Sequence, residues 1–547
     1  MSNTSKIFQR IPVEVQNRNG FDQSHEHIFT AKVGTLVPIM CKEIMPNTTI
    51  DLGIFAQAQL PPMATDFYGR VDLCFESFFV PMRQLFEGFE TVLTHQTLDN
   101  TPGISYPSYM SYLPGASGVP VGSVGAGSLA DYLGLKIKAN SGNIDIANIL
   151  PFVCYHWVWQ EMYRDSRVMS PAFIQSGQYG GSQNGVSYIQ HLAQSNAVST
   201  PIVYPYGTRT NLSDSTSLFS LRQRCWAKDY FTNATLQPQQ GSPSVLQFAT
   251  SVTGTADSQG NVSGTGTGSF TIQSLMVANS LQKWLQVNNI AGNRFGDQQY
   301  AQFGIYPESY KCDRPIYLGS YRMGIYNKSV YTSSAEMDQQ QYVGNNPFSG
   351  TPGTKHGSPM GVGDSQLVDK FHASEFGFLM VIASIVPHAV YATGTEKKFR
   401  RNRVGDFPFP LLENVGDQPI YHNEMGDTVA IYNSTSVFGY TQRFSDWKYE
   451  LDKVSGLVRD GESLDSFVFK RSFNTIPVLG SSFLEIPQNA LDEVAASSST
   501  LPSSFGAWCD VFFKLKTVMP LAAYSIPTLG DLKDTHTVTV SSGGVRL

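Results

Sequence analysis

Five cations crowd into seven residues at Lys397, Lys398, Arg400, Arg401 and Arg403, with Phe399 among them. A run of this kind can track a phosphate backbone while the ring stacks on a base. The same residues could equally make a solvated loop or a patch of salt bridges between subunits. The formal net charge of the whole chain is −6, so bulk charge does not draw it to nucleic acid. A contact with phosphates has to come from a local patch such as this one.

Other constellations carry less chemistry. Ser24-His25-Glu26-His27 places two imidazoles on one face of a strand. Without a third ligand nearby the pattern reads as a solvated strand start rather than a metal site. Cys154 and His156 fall on an expected helix, where two residues apart means roughly 200° apart, so they are not a nucleophile pair. Asp406, Glu413, Asp417 and Glu424 are scattered through a Pro-rich loop with no pairing suited to acid–base work. The cysteines at 41, 74, 154, 225, 312 and 509 include no CxxC and read as buried free thiols, not zinc ligands or a disulfide framework. GxSxG, HExxH, the P-loop and the EF-hand are absent. The Gly-Thr alternation at 264–268 lacks the following lysine of a nucleotide loop. No catalytic, cofactor or metal residue is therefore assigned, and the chain reads as a non-enzyme.

The elements that would position these residues are mostly strands. Period-two or continuous apolar patterns predict strands over 28–39, 49–59, 70–80, 375–387 and 509–518, all in one antiparallel sandwich. The run EFGFLMVIASIV at 375–386 reads as a strand buried on both faces. Helices are expected over 85–95, over 151–164, and over 273–288. In the second, Phe152, His156, Trp159 and Tyr163 share a face. In the third, Met276, Leu281, Trp284 and Leu285 form a stripe. Segments 101–147, 166–218 and 241–269 read as long surface insertions, the last a flexible or hairpin tip.

Length alone predicts three or four domains, yet no linker is evident, so one core with large insertions is an alternative. No stretch of about 18 apolar residues predicts a membrane span, and MSNTSKIFQR lacks the apolar core of a signal peptide. Charged residues make up only 15% and aromatics 12%. Few charges with many rings favour a chain that buries surface against other chains.

Several segments resemble the major capsid protein family of the Microviridae, single-stranded DNA phages, and its gokushovirus-like branch in particular. They are FDQSHEHIFTAKVGTLVPIMCKEIMPNTTIDL (21–52), RVDLCFESFFVPMRQLFEGFE (70–90), WVWQEMYRD (157–165), KDYFTNATLQPQQG (228–241), RPIYLGS (314–320), WKYELDKVSGLVR (447–459) and MPLAAYSIPTLGDL (519–532), with the helix at 273–288. Asn47 stands where the family usually has glycine, and QPQQG lacks the family's aromatic and lysine.

The resemblance implies a mainly β protein, an eight-stranded viral jelly roll with a few short helices. It implies a single capsid domain over 1–547, with strands concentrated in 21–90 and 370–540. It further implies a T=1 icosahedral shell of identical subunits around a circular single-stranded DNA genome. Partners would be an internal scaffolding protein, a DNA pilot protein and a host-surface receptor met by surface loops. No cofactor is implied. The chain would be found in the virion and assembled in the host cytoplasm. The competing reading from the residues is a secreted lectin-like or carbohydrate-active β-sandwich, which would need two carboxylates across a cleft.

Overall fold

The computed structural model describes residues 10–16, 18–61, 63, 68–85, 119–120, 125–135, 143–144, 150–169, 202–203, 209–210, 220–241, 255–256, 262–263, 272–292, 294–308, 314–332, 355–426, 429–432, 436–473, 475–492, 494, 506–521 and 535–541. The main strands are β1 (Arg10–Gln16), β2 (Asn19–Asp22), β3 (His25–Ala31), β4 (Val37–Ile44), β5 (Thr48–Gln59), β6 (Val71–Pro81), β7 (Ile316–Thr332), β8 (Lys355–Ala373), β9 (Gly377–Pro387), β10 (Ala507–Met519) and β11 (Thr535–Ser541).

Strands β2 to β10 form one antiparallel sheet in the order β2-β10-β5-β8-β7-β6-β9-β4, and β3 lies end to end with β2 along β10. The sheet doubles over at β7. Its first part, Ile316–Ile325, pairs with β6, and Tyr326–Thr332 pairs with β8. The inner faces of the two layers meet in one apolar core. Ile50, Leu52 and Ile54 of β5 and Val511 and Phe513 of β10 lie in the same cluster as Leu73 and Phe75 of β6 and Val381 and Ile385 of β9. This is a jelly-roll-like β-sandwich.

The two layers differ in their outer faces, and the sequence patterns follow. β10 alternates strictly, with Val511, Phe513 and Leu515 buried and Lys514 and Lys516 in solvent. β9 is buried on both faces. Its second face and that of β6, through Phe78, Val80, Phe378, Met380 and Ile382, carry a second core. Helix α2 (Leu150–Val158), after the four-residue α1 (Met82–Leu85), packs into that core. α2 continues as a π-helical turn, Trp159–Tyr163. The stripe expected on 151–164 is only part of the buried surface of this helix. Val153, Cys154, Tyr155 and Trp157 are buried as fully as Phe152 and His156, because the helix is enclosed on all sides.

The strand expected over 28–39 is two strands. β3 pairs with β10 in one layer and β4 with β9 in the other, so residues 32–36 must cross between layers. The crossing turns at Gly34, whose φ is +70°. Its N–H donates to Ile385 O at 2.9 Å and its carbonyl accepts from Arg224 N at 2.7 Å. Asn47 likewise takes φ +62°, the conformation glycine favours and asparagine tolerates, so the β4–β5 turn survives the family's missing glycine.

Of the helix expected over 85–95 only Leu85 lies within the described residues, and the three insertions fall mostly outside them. Within 101–147, Leu129 and Ala130 are core residues, and Tyr132 donates its hydroxyl to Thr30 O at 2.6 Å. Within 241–269, Thr255–Ala256 pairs antiparallel with Val262–Ser263.

Candidate functional site

The basic run leaves the end of β9 through a loop and forms a short 3-10 turn, Lys397–Arg400. Its five cations do different jobs. Arg401 is tied inward by an ion pair to Asp446 and lies 4.3 Å from the centre of the Trp447 ring. Both partners of that pair are largely covered, with side-chain exposures of 13% and 11%. Arg400 donates to Tyr432 O at 2.6 Å and stacks on its ring. Lys398 pairs with Glu396, which also takes Lys453 at 2.8 Å, and these two lysines hold the Glu396 carboxyl below its usual range. Lys397 reaches Pro419 O at 3.5 Å. Arg403 is exposed, and Phe399 is 75% exposed.

Beneath the run lies a cavity of about 550 Å³, bounded by Tyr230, Lys397, Arg401, Glu424, Trp447 and Arg459 among others. Glu424 is buried there. Burial raises its pKa, opposed by Lys397, the Tyr421 N–H and the Tyr230 hydroxyl, which donates to it at 3.0 Å. Asp406, Glu413 and Asp417 do not join it. Asp406 accepts the N–H groups of Asn402 and Arg403, each at 3.1 Å, Glu413 pairs with Lys448 at 2.7 Å, and the carboxyl of Asp417 is raised by burial alone.

The segment 228–241 contributes a folding node rather than a binding loop. Asp229 accepts from Phe231 N at 2.9 Å, Thr232 N at 2.8 Å and the Thr232 hydroxyl at 3.0 Å. Its other oxygen takes the buried Tyr391 hydroxyl at 2.6 Å. Replacing Asp229 by alanine is expected to cost about 1–3 kcal/mol, the scale of leaving buried donors unsatisfied. A urea titration of unassembled subunits reads this directly. An unchanged midpoint would show that water replaces the carboxylate without loss.

The histidine pair is structural. His25 Nδ1 bonds Gln23 O at 3.0 Å, and His27 Nδ1 bonds Ile39 O at 2.9 Å. Among the described residues no group of three His, Cys, Asp or Glu could hold a metal. Cys154 is buried in the second core, against which Cys41 also packs, while His156 accepts from Arg222 at 3.1 Å.

Cys41, Cys74, Cys154, Cys225 and Cys509 are free thiols, and Cys312 lies outside the described residues. Burial pushes Cys41 and Cys509 up to about 12 and Cys74 and Cys225 up to about 11. At pH 8 a thiol near 11 is only about one part in a thousand thiolate, the reactive form. These five positions are expected to resist maleimide in the folded protein and to label once it is unfolded, as peptide mass mapping would report. Labelling of any of them in the native chain would contradict the packing.

Two arginine centres had no motif to announce them. Arg224 makes two 2.9 Å bonds to Glu76 between the second core and the sheet. Arg471 lies over Trp226 at 4.8 Å and Phe483 at 4.5 Å, and donates to Phe483 O at 2.9 Å. A lone arginine carries no spacing signal in sequence, and only the fold brings its rings together.

A family described as Capsid protein (F protein) matches residues 9–267 and 246–529. The chain is 25% identical over 609 aligned positions to capsid protein VP1 of Chlamydia phage 1, covering 95% of this chain and 97% of that protein. It is 23% identical to capsid protein VP1 of Bdellovibrio phage phiMH2K, with the same coverage of each. A further 24% match to capsid protein VP1 of Spiroplasma virus 4 spans 48% of this chain and 46% of that one. These relatives agree with the gokushovirus-like motifs of the sequence, and nothing in them supports a lectin or a carbohydrate-active enzyme. With its curled antiparallel sheet, the chain belongs to the phage capsid protein (F protein) family of the Microviridae and is a structural, non-enzymatic subunit of a multi-subunit virion shell.

Proposed function

We propose that this shell is a T=1 particle enclosing a circular single-stranded DNA genome, and that the segment 397–403 lies against that DNA. The observation that carries the second part is Phe399, an exposed ring between Lys398 and Arg400, with Arg403 exposed beyond it. Lys397, Lys398, Arg400 and Arg403 would neutralise phosphates without reading sequence, and Phe399 would stack on a base. Arg401 would serve the same surface by anchoring the turn to Asp446. Glu396 tempers the charge, which favours a contact loose enough to accept any sequence.

The test replaces Lys397, Lys398, Arg400 and Arg403 together with glutamine. Particles of normal size are expected, with less DNA retained and a shallower dependence of retention on salt. Normal DNA content with an unchanged salt dependence would overturn the assignment.

Membership of the Microviridae supports the rest of the reading. The chain is one capsid domain over 1–547, in which 101–147, 166–218 and 241–269 are insertions. Assembly takes place in the host cytoplasm with an internal scaffolding protein and a DNA pilot protein. The hairpin within 241–269 faces outward and takes part in host attachment. Deleting 250–266 is expected to leave particles that adsorb poorly, whereas loss of all particles would make the segment an assembly element.

A further inference from the structure

Helix α3 (Ile272–Ala291) is attached to its own chain by the wrong side for a monomer. The side facing the fold is polar. Asn289 donates to Gln237 O at 2.7 Å and to the Thr235 hydroxyl at 3.2 Å, Gln282 donates to Gln239, and Leu285 O accepts from Gln240 N at 3.2 Å. Asn288 is buried and accepts from Gln302 at 2.7 Å, which ties α3 to helix α4 (Phe295–Phe303). Most of the apolar residues point away, while Leu285 and Val287 are half-buried. Met276 is 64% exposed, Trp284 49%, and Val277, Leu281 and Phe303 stand out beside them. A surface helix normally buries its apolar stripe and shows its polar face to water. Here Gln282, Asn288 and Asn289 spend hydrogen bonds on the chain itself, while the exposed side carries these apolar residues together with Gln273, Asn279, Ser280 and Lys283.

We propose that this outer face of α3 and α4 is an interface with a neighbouring copy of the same chain in the shell. The proposal rests on the shell role established by the family. A shell subunit must meet copies of itself, and the centres of such interfaces are depleted in charge and rich in aromatic and Met side chains. α3 fits that description, with Lys283 its one charged residue in twenty. A membrane surface fits poorly, because helices that lie in lipid headgroups carry Lys and Arg along a free polar face. α3 offers a single cation, Lys283, for such a face.

Two measurements on the full-length chain decide the matter. In the first, a benzophenone amino acid replaces Trp284 and assembled particles are illuminated. Covalent dimers of this chain are expected, with the crosslink mapping to a second copy. Crosslinks confined to the same chain, for instance to 242–271, or to a different protein, would overturn the proposal. In the second, Met276→Asp and Leu281→Asp are combined. The unassembled subunit is expected to melt as the parent does while particle yield falls more than tenfold. A subunit that loses its cooperative melt would show that the stripe is covered from within the chain, and undiminished particle yield would show that it is not covered by a copy. Parent particles form whichever result is found, so failure here leaves the shell role standing. The DNA assignment to 397–403 is likewise unaffected.

Discussion

Replacing Arg224 by alanine is expected to cost about 3–5 kcal/mol, the usual price of stranding one charge of a buried pair, and to leave few or no particles. Glu76 on β6 receives both guanidinium bonds at 2.9 Å, and Arg224 also donates to Ser384 on β9 at the same distance. The Tyr163 hydroxyl bonds the same carboxylate, and the guanidinium lies 5.4 Å from that tyrosine's ring. Side-chain exposures of 14% and 15% leave little water to screen the pair. Burial works against the charged arginine, but Glu76 outweighs it and holds the guanidinium's pKa above its ordinary value. Without Arg224 the carboxylate faces a tyrosine and little else. Its partner change, Glu76→Leu, made together with Arg224→Met, should recover much of the loss, because an apolar pair of similar volume has no charge to desolvate. Urea midpoints of unassembled subunits, read beside particle yield, measure both. If the single alanine variant lost less than about 1 kcal/mol, the pair would be behaving like an exposed surface bridge.

Gly34→Ala is expected to destabilise by about 2–5 kcal/mol. The left-handed backbone costs an alanine about 1–2 kcal/mol. A Cβ built there would lie 2.6 Å from both the Cβ and the carbonyl oxygen of Ile486, which adds overpacking of about 1–3 kcal/mol. Gly127 separates the two contributions. Its φ is +77°, yet nothing lies within 4 Å of a Cβ there, so Gly127→Ala should show the backbone cost alone. Thermal melts of the two variants should differ by the steric part, and equal shifts would mean that the Ile486 segment moves aside freely.

Most of the sheet was readable because burial on one face writes itself as alternation and burial on two faces as a continuous run. β5 and β10 show the first and β9 the second. The division of 28–39 was hidden, because Val33 and Val37 keep the alternation going across a crossing that depends on which strands lie opposite. The enclosed helix α2 was only partly legible for a related reason. Its sequence shows a stripe, but Cys154, Tyr155 and Trp157 on the other faces are just as buried, and periodicity does not report what packs behind a helix. The basic run was visible as composition. That Arg401 is committed to Asp446 while Phe399 stays in solvent is a fact of tertiary placement. The most recognisable stretch, 228–241, was legible as a family mark and silent about its role. Asp229 acts on Tyr391, 162 positions away.

The place of β10 in the sheet has a bearing on synthesis. Residues 507–519 lie between β5 on one side and β2 and β3 on the other, with Val511 opposite both Ala56 and His27. Until the ribosome has made these residues, β3 and β5 have no strand between them, and a long nascent chain waits with two unpaired edges and an open core. Unpaired edges and exposed apolar surface of this kind are prone to aggregate. A polypeptide released early lacks the strand that closes the sandwich, so it cannot present the surfaces of a finished subunit. The sandwich therefore closes only after β2 to β9 have all been made.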